Sequence, residues 1–508
     1  MELTIEQVLQ QGIAAHKKGE LQEAGRLYRV VLQTQPAHPD ANHNLGLISI
    51  SVNQSAAALP LFKIALEANP KIEQFWLSYI DALIKEKHFK DAKRELKKGK
   101  KSGLSKNKLN TLTQQLTSAI KDPVPPQTEV NNLLEFYQKA QFDDAEKLAV
   151  SITQQFPDHP FSWNILGAVL KQTGRLEEAE ASYKEAIALK PDYAEAYWNL
   201  SLTLNQEGNL AKGFELYEWR FKKKGIMDKA PRVAFCWDGK QSLKGKRFVI
   251  YDEQGLGDII QFSRYLPLMV QKGAIVSFKV KRSLHKLFGT LSENITLITE
   301  LPNDDELDFE APLMSLPHLF ETTLATVPAS TPYLYADEAK IKTWAAKLVK
   351  DKFRIGICWQ GSKGKVDFGR SFPLSLYKDI SEIPDVELIS LHKGEGEDQH
   401  SGITFDVTTF GKELDDGPYA FLDTAAVMMN CDLIITSDTA VAHLAGALGR
   451  QTWVALKHIP DWRWMLQTPK TPWYPTLTLY RQKTQGDWAT VFATIEQDLC
   501  SLLNQKGY

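Results

Sequence analysis

At 508 residues the chain is too long for one ordinary hydrophobic core, so two or three domains are expected. A formal net charge of -2, with no basic patch interleaved with aromatics, gives no case for a nucleic-acid partner. No apolar run approaches the roughly 20 residues that a membrane span needs. The N-terminal MELTIEQVLQQG lacks the basic segment and apolar core of a secretory signal. Cys236, Cys358, Cys431 and Cys500 are far apart in apolar stretches and read as reduced, buried thiols of a cytoplasmic protein. No Cys-x-x-Cys or His-Glu-x-x-His pattern points to a metal, and none is expected.

Internal repeats organise the first half. Leu45-Gly46 and Leu166-Gly167 each precede a small residue (Ala58, Ala179), an aromatic (Phe62, Tyr183), an alanine (Ala65, Ala186) and a terminal proline (Pro70, Pro191). Pro36 to Pro70 and Pro157 to Pro191 are both 34-residue steps, the spacing of tetratricopeptide repeats, which the segment resembles. Each unit reads as two amphipathic helices. Small residues (Ala24, Ala58, Ala145, Ala179) permit close helix approach, and aromatics (Tyr28, Phe62, Tyr183) fill the space between units. Proline closes the second helix. Six units are expected over 1–224, starting near Ile5, Pro39, Glu73, Pro126, Pro160 and Ala194. The third is degenerate, with Gly99 and Leu104 where alanine and proline are expected. An extra polar helix and KDPVPPQ follow, so a break near 105–127 divides the array into two blocks of three. Packing accounts for these residues one by one. The array as a whole would offer a groove for a peptide or protein.

Near Gly225 the composition changes. RFVIYDE, AIVSFKV and NITLIT read as strands alternating with helices, and a second such run contains FRIGICWQG, VELISLHKG, LIITSD and QTWVALK. Short β-branched runs alternating with helices argue for parallel sheets. The expected class is therefore an all-α repeat solenoid followed by α/β: two Rossmann-like lobes, 225–340 and 341–508, the second ending in the helix DWATVFATIEQDLCSLL. Ligands of such sheets bind in the crevice at the carboxyl ends of the strands.

Four motifs fall at those ends. In GLGD, Gly255 and Gly257 allow a tight turn, and Asp258 is either a helix cap or a catalytic carboxylate. A dinucleotide fingerprint would need a third glycine at Ile260. The loop WQGSKGKVDFGRSF, Trp359 to Phe372, is rich in glycine and cations and ends in Arg370-Ser371, which suits a phosphate group or a solvated surface loop. In TSDTAVAHLAGALG, Ser437, Asp438 and Thr439 sit where a strand meets a helix, with His443 one turn in as either ligand or packing residue. KHIPDWRWM holds Lys457, Asp461, Trp462 and Arg463; its two tryptophans beside an arginine would stack a base or sugar, or form an aromatic lid on the C-terminal helix.

Together, GLGD, SDTAVAHLAGALG and DWRW resemble the GT-B glycosyltransferases related to lipopolysaccharide heptosyltransferases, and in particular bacterial proteins that fuse a tetratricopeptide array to such a domain. The match covers about Phe235 to Tyr480. The resemblance implies a metal-independent, inverting transfer with no cofactor besides the nucleotide-sugar substrate. It implies Asp258 as general base. The implied donor-binding set is Gly257, Trp359, Arg370, Ser371, Ser437, Asp438, Thr439, His443, Asp461 and Trp462. Arg370 stands where the heptosyltransferases carry lysine, which keeps the charge. FEAPLMSLPHLF, also similar to the fused type, would line the acceptor side through Ser315 or serve the fold alone. Some members of the fused type glycosylate flagellin with a nonulosonic acid such as pseudaminic acid, and flagellin bound by the array is the expected acceptor. The competing expectations are a surface-polysaccharide transferase with a heptose or hexose donor, and a non-enzymatic scaffold.

Overall fold

The computed structural model describes residues 4–52, 54–121, 124–223, 235–362 and 369–507. It divides into two compact units, 1–193 and 194–508.

The first unit is helical. Its hairpins are α1 (Ile5–Lys17) with α2 (Leu21–Thr34), α3 (Pro39–Ser51) with α4 (Ser55–Ala68), and α5 (Glu73–Lys85) with α6 (Phe89–Lys101). A single helix α7 (Lys106–Lys121) follows, then α8 (Gln127–Gln138) with α9 (Phe142–Gln155) and α10 (Pro160–Gln172) with α11 (Leu176–Leu189). The repeat glycines are explained by contact: a Cβ on Gly46 would lie 2.5 Å from the Phe62 ring, and one on Gly167 2.7 Å from Tyr183. The terminal prolines leave a carbonyl for the next unit. Asn42 donates to Pro36 at 2.9 Å, Trp76 to Pro70 at 2.9 Å and Trp163 to Pro157 at 2.7 Å, always six residues on. This satisfies a helix-end acceptor that would otherwise need water. The polar-looking α7 is amphipathic. Leu109, Leu112 and Leu116 are buried at helical spacing, and α7 packs on α5 and α6.

The second unit begins with one more repeat hairpin, α12 (Ala194–Glu207) and α13 (Leu210–Tyr217), followed by a 3-10 turn, Glu218–Lys222. Two parallel sheets then form two Rossmann-like lobes. The first contains β1 (Arg247–Tyr251), β2 (Ile275–Lys279), β3 (Ile295–Ile298) and β4 (Phe309–Pro312), in the order β3-β2-β1-β4. The second contains β5 (Phe353–Cys358), β6 (Val386–Ser390), β7 (Leu433–Ser437), β8 (Thr452–Leu456) and β9 (Leu477–Arg481), in the order β6-β5-β7-β8-β9. All neighbours pair in parallel. The strand order reverses at β1/β4 and at β5/β7, which makes these the two topological switch points.

Some expectations need correction. FEAP forms β4 and LTLYR forms β9, two strands beyond those expected; FEAP is four residues with a proline, and LTLYR alternates at Leu477 and Leu479 but is only five residues long. LSLYKDISEI does not form one continuous helix but a 3-10 turn, Leu374–Tyr377, running into one α turn, Lys378–Ser381. Cys358 and Cys431 are buried, whereas Cys236 and Cys500 are exposed. No described helix is long and apolar enough to cross a membrane.

Candidate functional site

The loops after β1 and β4 flank the first switch point, and those after β5 and β7 flank the second. Three of the four sequence motifs run through them. The fourth, Lys457 to Met465, follows β8, the next strand.

Asp258 occupies the third position of the helix Leu256–Phe262, for which Gly255 is the N-cap. Its carboxylate reaches back to accept the Gly255 N–H at 2.8 Å, the inner half of a capping box. The other oxygen is bonded by Arg463. Arg463 is itself held on three sides. Its Nη1 donates to Asp461 at 2.8 Å, its Nε to Gln261 at 2.7 Å, and its backbone N–H to Asp461 at 3.0 Å. Its guanidinium lies over the Trp462 ring, 4.4 Å from the centroid. A side chain of the second lobe thus orients the candidate base of the first. Because both oxygens are already engaged, the carboxylate is fixed, and the lone pairs left over are those open to a hydroxyl donor.

Gly257 is one of the points where the two lobes touch. The helices Leu256–Phe262 and Ala440–Ala447 pack together, and a Cβ on Gly257 would fall 2.8 Å from the His443 ring and 3.7 Å from the Ala440 Cα. His443 is buried. Its Nδ1 is 3.1 Å from the Tyr474 hydroxyl, and its ring stacks on Trp464 at 5.2 Å and 21°. Burial, then the Arg463 charge, push its pKa down to about 3, so it is neutral at pH 7. It has a dipole to offer an anion, but no charge.

Asp438 is half-buried beyond β7. Burial first, and the Asp461 carboxylate second, push it up to about 6, while the Trp464 indole and the Arg370 and Arg463 guanidiniums oppose the rise. Those contributions place Arg370, Asp438, Asp461 and Arg463 in one electrostatic neighbourhood. Ser371 accepts the Gly361 N–H at 3.2 Å, and Gly361 is backed by Arg370, whose Nη2 would lie 2.6 Å from any Cβ there. A side chain at position 361 would displace that guanidinium. Thr439 takes the N-cap position of Ala440–Ala447 without a side-chain capping bond. Residues 363–368 of the basic loop lie outside the described residues.

Other expected residues are less accessible. Trp359 is fully buried, stacked 4.1 Å from His392, with its indole N–H donating to the Gly396 carbonyl at 3.3 Å. Trp462 is 4 % exposed and packs against Phe214 and Trp473. Ser437 is fully buried at the end of β7. Ser315 is 2 % exposed; it donates to Glu218 at 2.8 Å and accepts from Arg220 at 2.7 Å. Cys358 lies 3.5 Å from His392 Nδ1, but burial pushes the thiol up to about 11 and lowers His392, so the pair is not an activated nucleophile. Among the described residues, no group of three or more His, Cys, Asp or Glu is arranged to hold a metal ion.

Sequence reasoning singled out Arg463 and the two tryptophans of DWRW only as stacking residues and missed Gln261 and Tyr474. DWRW contains Arg463 and Trp464, but their partners are about 200 positions away in sequence, or on another element. A surface cavity of about 480 Å³ lies apart from these motifs, at the carboxyl ends of β2 and β3, lined by Arg282, His285, Glu300 and Tyr419 among others.

Comparison with known proteins adds the following. A family model described as TPR repeat matches residues 167–208. Protein FlbA of Caulobacter vibrioides is 26% identical over 398 residues, covering 65% of each chain, more than the repeats alone would supply. The peroxisomal targeting signal receptor of Kluyveromyces lactis is 24% identical over 201 residues, 36% of each chain. The chain thus spans about two thirds of the first relative's length and about a third of the second's. Among solved structures, a glycosyl transferase family 9 protein from Veillonella parvula aligns at 10% identity with a TM-score of 0.38, covering 53% of this chain and 98% of that one. The TPR domain of P58(IPK) aligns at 20% identity with a TM-score of 0.23, covering 42% and 58%.

Proposed function

We propose that the chain is a glycosyltransferase that moves a sugar from a nucleotide donor onto a hydroxyl of a protein acceptor. The observation that carries this reading is the pairing of Asp258, beyond β1, with Arg463, beyond β8, at the carboxyl ends of the two sheets. In this reading Asp258 is the general base. Gly255 and Arg463 hold its carboxylate, so a remaining lone pair takes the proton as the acceptor oxygen attacks the anomeric carbon. The bond from that carbon to the donor phosphate breaks on the opposite face, with inversion. The leaving phosphate gathers negative charge. Arg370, Ser371, the Thr439 hydroxyl and the first N–H groups of Ala440–Ala447 are the groups that would receive it. His443 contributes through a neutral ring. Asp461 serves through Arg463, and Asp438, pushed up to about 6, carries a proton part of the time near neutrality. At pH 7 most of Asp438 is still ionised, and the Arg370 and Arg463 charges near it offset the repulsion an anionic donor would meet.

The acceptor is the finer part of the reading. The repeat array suits a protein partner. Resemblance to the fused transferases makes flagellin the acceptor, a CMP-activated nonulosonic acid such as pseudaminic acid the donor, and the cytoplasm the place of reaction. Thermal unfolding with CMP, UDP, ADP and GDP tests the donor. A nucleotide at 100 times its Kd should stabilise the fold by about 2.7 kcal/mol. A shift with CMP alone is expected, and Arg370→Met should remove it. A shift confined to another nucleotide would move the reading to a heptose or hexose donor. No shift with any nucleotide or intact sugar nucleotide would leave a non-enzymatic scaffold.

A further inference from the structure

The turn that carries Asp258 is anchored by the last repeat hairpin. Between β1 and the helix Leu256–Phe262, the backbone at Gln254 is left-handed, with φ 64. That conformation is costly for a residue with a side chain and persists where surrounding contacts fix it. The contacts here come from α13 and the 3-10 turn after it. The Tyr217 hydroxyl sits against the Gln254 amide, 2.7 Å from Nε2 and 3.1 Å from Oε1. Arg220, fully buried, grips Glu253 with two bonds, Nε to Oε2 at 3.0 Å and Nη2 to Oε1 at 2.8 Å. Glu253 also accepts the Met314 N–H at 2.9 Å, and Arg220 Nη2 donates to Ser315 at 2.7 Å. Arg220 therefore ties the loop after β1 to the loop after β4, on the two sides of the first switch point. The next residue, Gly255, gives its N–H to Asp258.

We infer that Tyr217 and Arg220, from the last repeat hairpin, are positioning residues that set the place of Asp258 through Gln254 and Glu253. The inference rests on Asp258 being the base. It makes the final repeat a component of the transferase site as well as a member of the array. The chain from hydroxyl to base is short: Tyr217 to the Gln254 side chain, its backbone to Gly255, and the Gly255 N–H to the carboxylate.

Tyr217→Phe in the full chain is the test. The ring keeps its packing against Trp198, and only the hydroxyl is lost. Arg220→Met would strand Glu253 as a buried, unpaired carboxylate, so it reports on folding more than on position. Two readouts decide the matter. Amide exchange over 252–258 should speed about tenfold, while that of β5 stays as in the parent. Transfer from CMP-pseudaminic acid to unmodified flagellin should lose about tenfold in kcat with the donor KM unchanged. Unchanged exchange overturns the inference, and so does faster exchange with an unchanged kcat. Asp258→Asn, measured alongside, separates the two claims: transfer surviving in it removes the base assignment, whereas its loss beside a parent-like Tyr217→Phe removes only the positioning. Exchange needs no substrate, so unchanged exchange over 252–258 overturns the inference even with a parent that does not turn over this donor.

Discussion

The hairpin α10–α11 and the hairpin α12–α13 share one 34-residue pattern but differ in what they bury. In the former, Gly167 receives the Tyr183 ring, and the contact is apolar. In the latter, Ser201 stands in the glycine position, and Gly213 makes room for Asn205, whose Oδ1 would be 2.1 Å from any Cβ there. Gln206 donates to the Pro460 carbonyl at 3.0 Å, Tyr217 meets Gln254, and Arg220 meets Glu253. A repeat that packs only on repeats needs complementary shapes. One that joins an α/β unit also buries polar groups: Gln206, Tyr217 and Arg220 meet theirs with directional bonds, while the Asn205 amide is buried without a partner among the described residues.

Variants can break or sharpen this contrast. The largest stability effect is expected from Arg220→Met, which leaves Glu253 buried beside Met314 without its cation; losing one partner of a buried pair costs about 3–5 kcal/mol. Chemical denaturation should show the loss, and a midpoint within error of the parent would mean that the pair contributes little. In the apolar hairpin, Gly167→Ala gains about 1 kcal/mol of helix propensity but forces a Cβ into the buried Tyr183 ring, an overpacking cost of about 1–3 kcal/mol. A modest net loss is expected, with the nucleotide-induced shift untouched; an altered shift would argue that the array acts on the site. Gly257→Ala meets the His443 ring at 2.8 Å in the same way. Here a similar stability loss should come with loss of nucleotide binding, because the two lobe helices must separate.

The smallest effect is a pH dependence. Burial raises the folded Asp438 to about 6, so protonation below that pH favours the folded chain, a gain already complete below its unfolded value near 3.8. Burial lowers His443 to about 3, so the stability held by its neutral form is present above 6.5 and is lost as pH falls from there toward 3. Between pH 6 and 4 the two oppose each other. Asp438→Asn should therefore lose stability faster than the parent in that window, by up to about 1.4 kcal/mol per pH unit. Parallel profiles of Tm against pH would contradict the assignment of these environments.

Legibility in the sequence followed the range of the interaction. The helix hairpins could be read because Leu-Gly, alanine, aromatic and proline recur at fixed spacing, and each residue meets a near neighbour, as Gly46 meets Phe62. The strands β1, β5 and β7 could be read from β-branched runs, whereas β4 was too short and proline-marked to stand out. Asp258 was visible as an acid in a glycine turn, though its place at the third helical position, capping Gly255 from inside, depends on backbone geometry. Its Arg463 partner lies 205 positions on, and nothing local to either residue encodes that pairing. Arg220 sits in a stretch, EWRFK, that reads as the charged end of a repeat; only the fold buries it.

The central claim is that Asp258 removes the acceptor proton in a site whose donor side is formed by other residues. It is tested most directly by Asp258→Asn in the full chain. Asparagine still fits the turn, and Arg463 keeps Asp461 and Gln261, so folding should survive. The account predicts a parent-like nucleotide-induced shift together with a fall in transfer of about 10²–10⁴-fold, the usual worth of a general base. Transfer at the parent rate, with the fold and the shift intact, would contradict it.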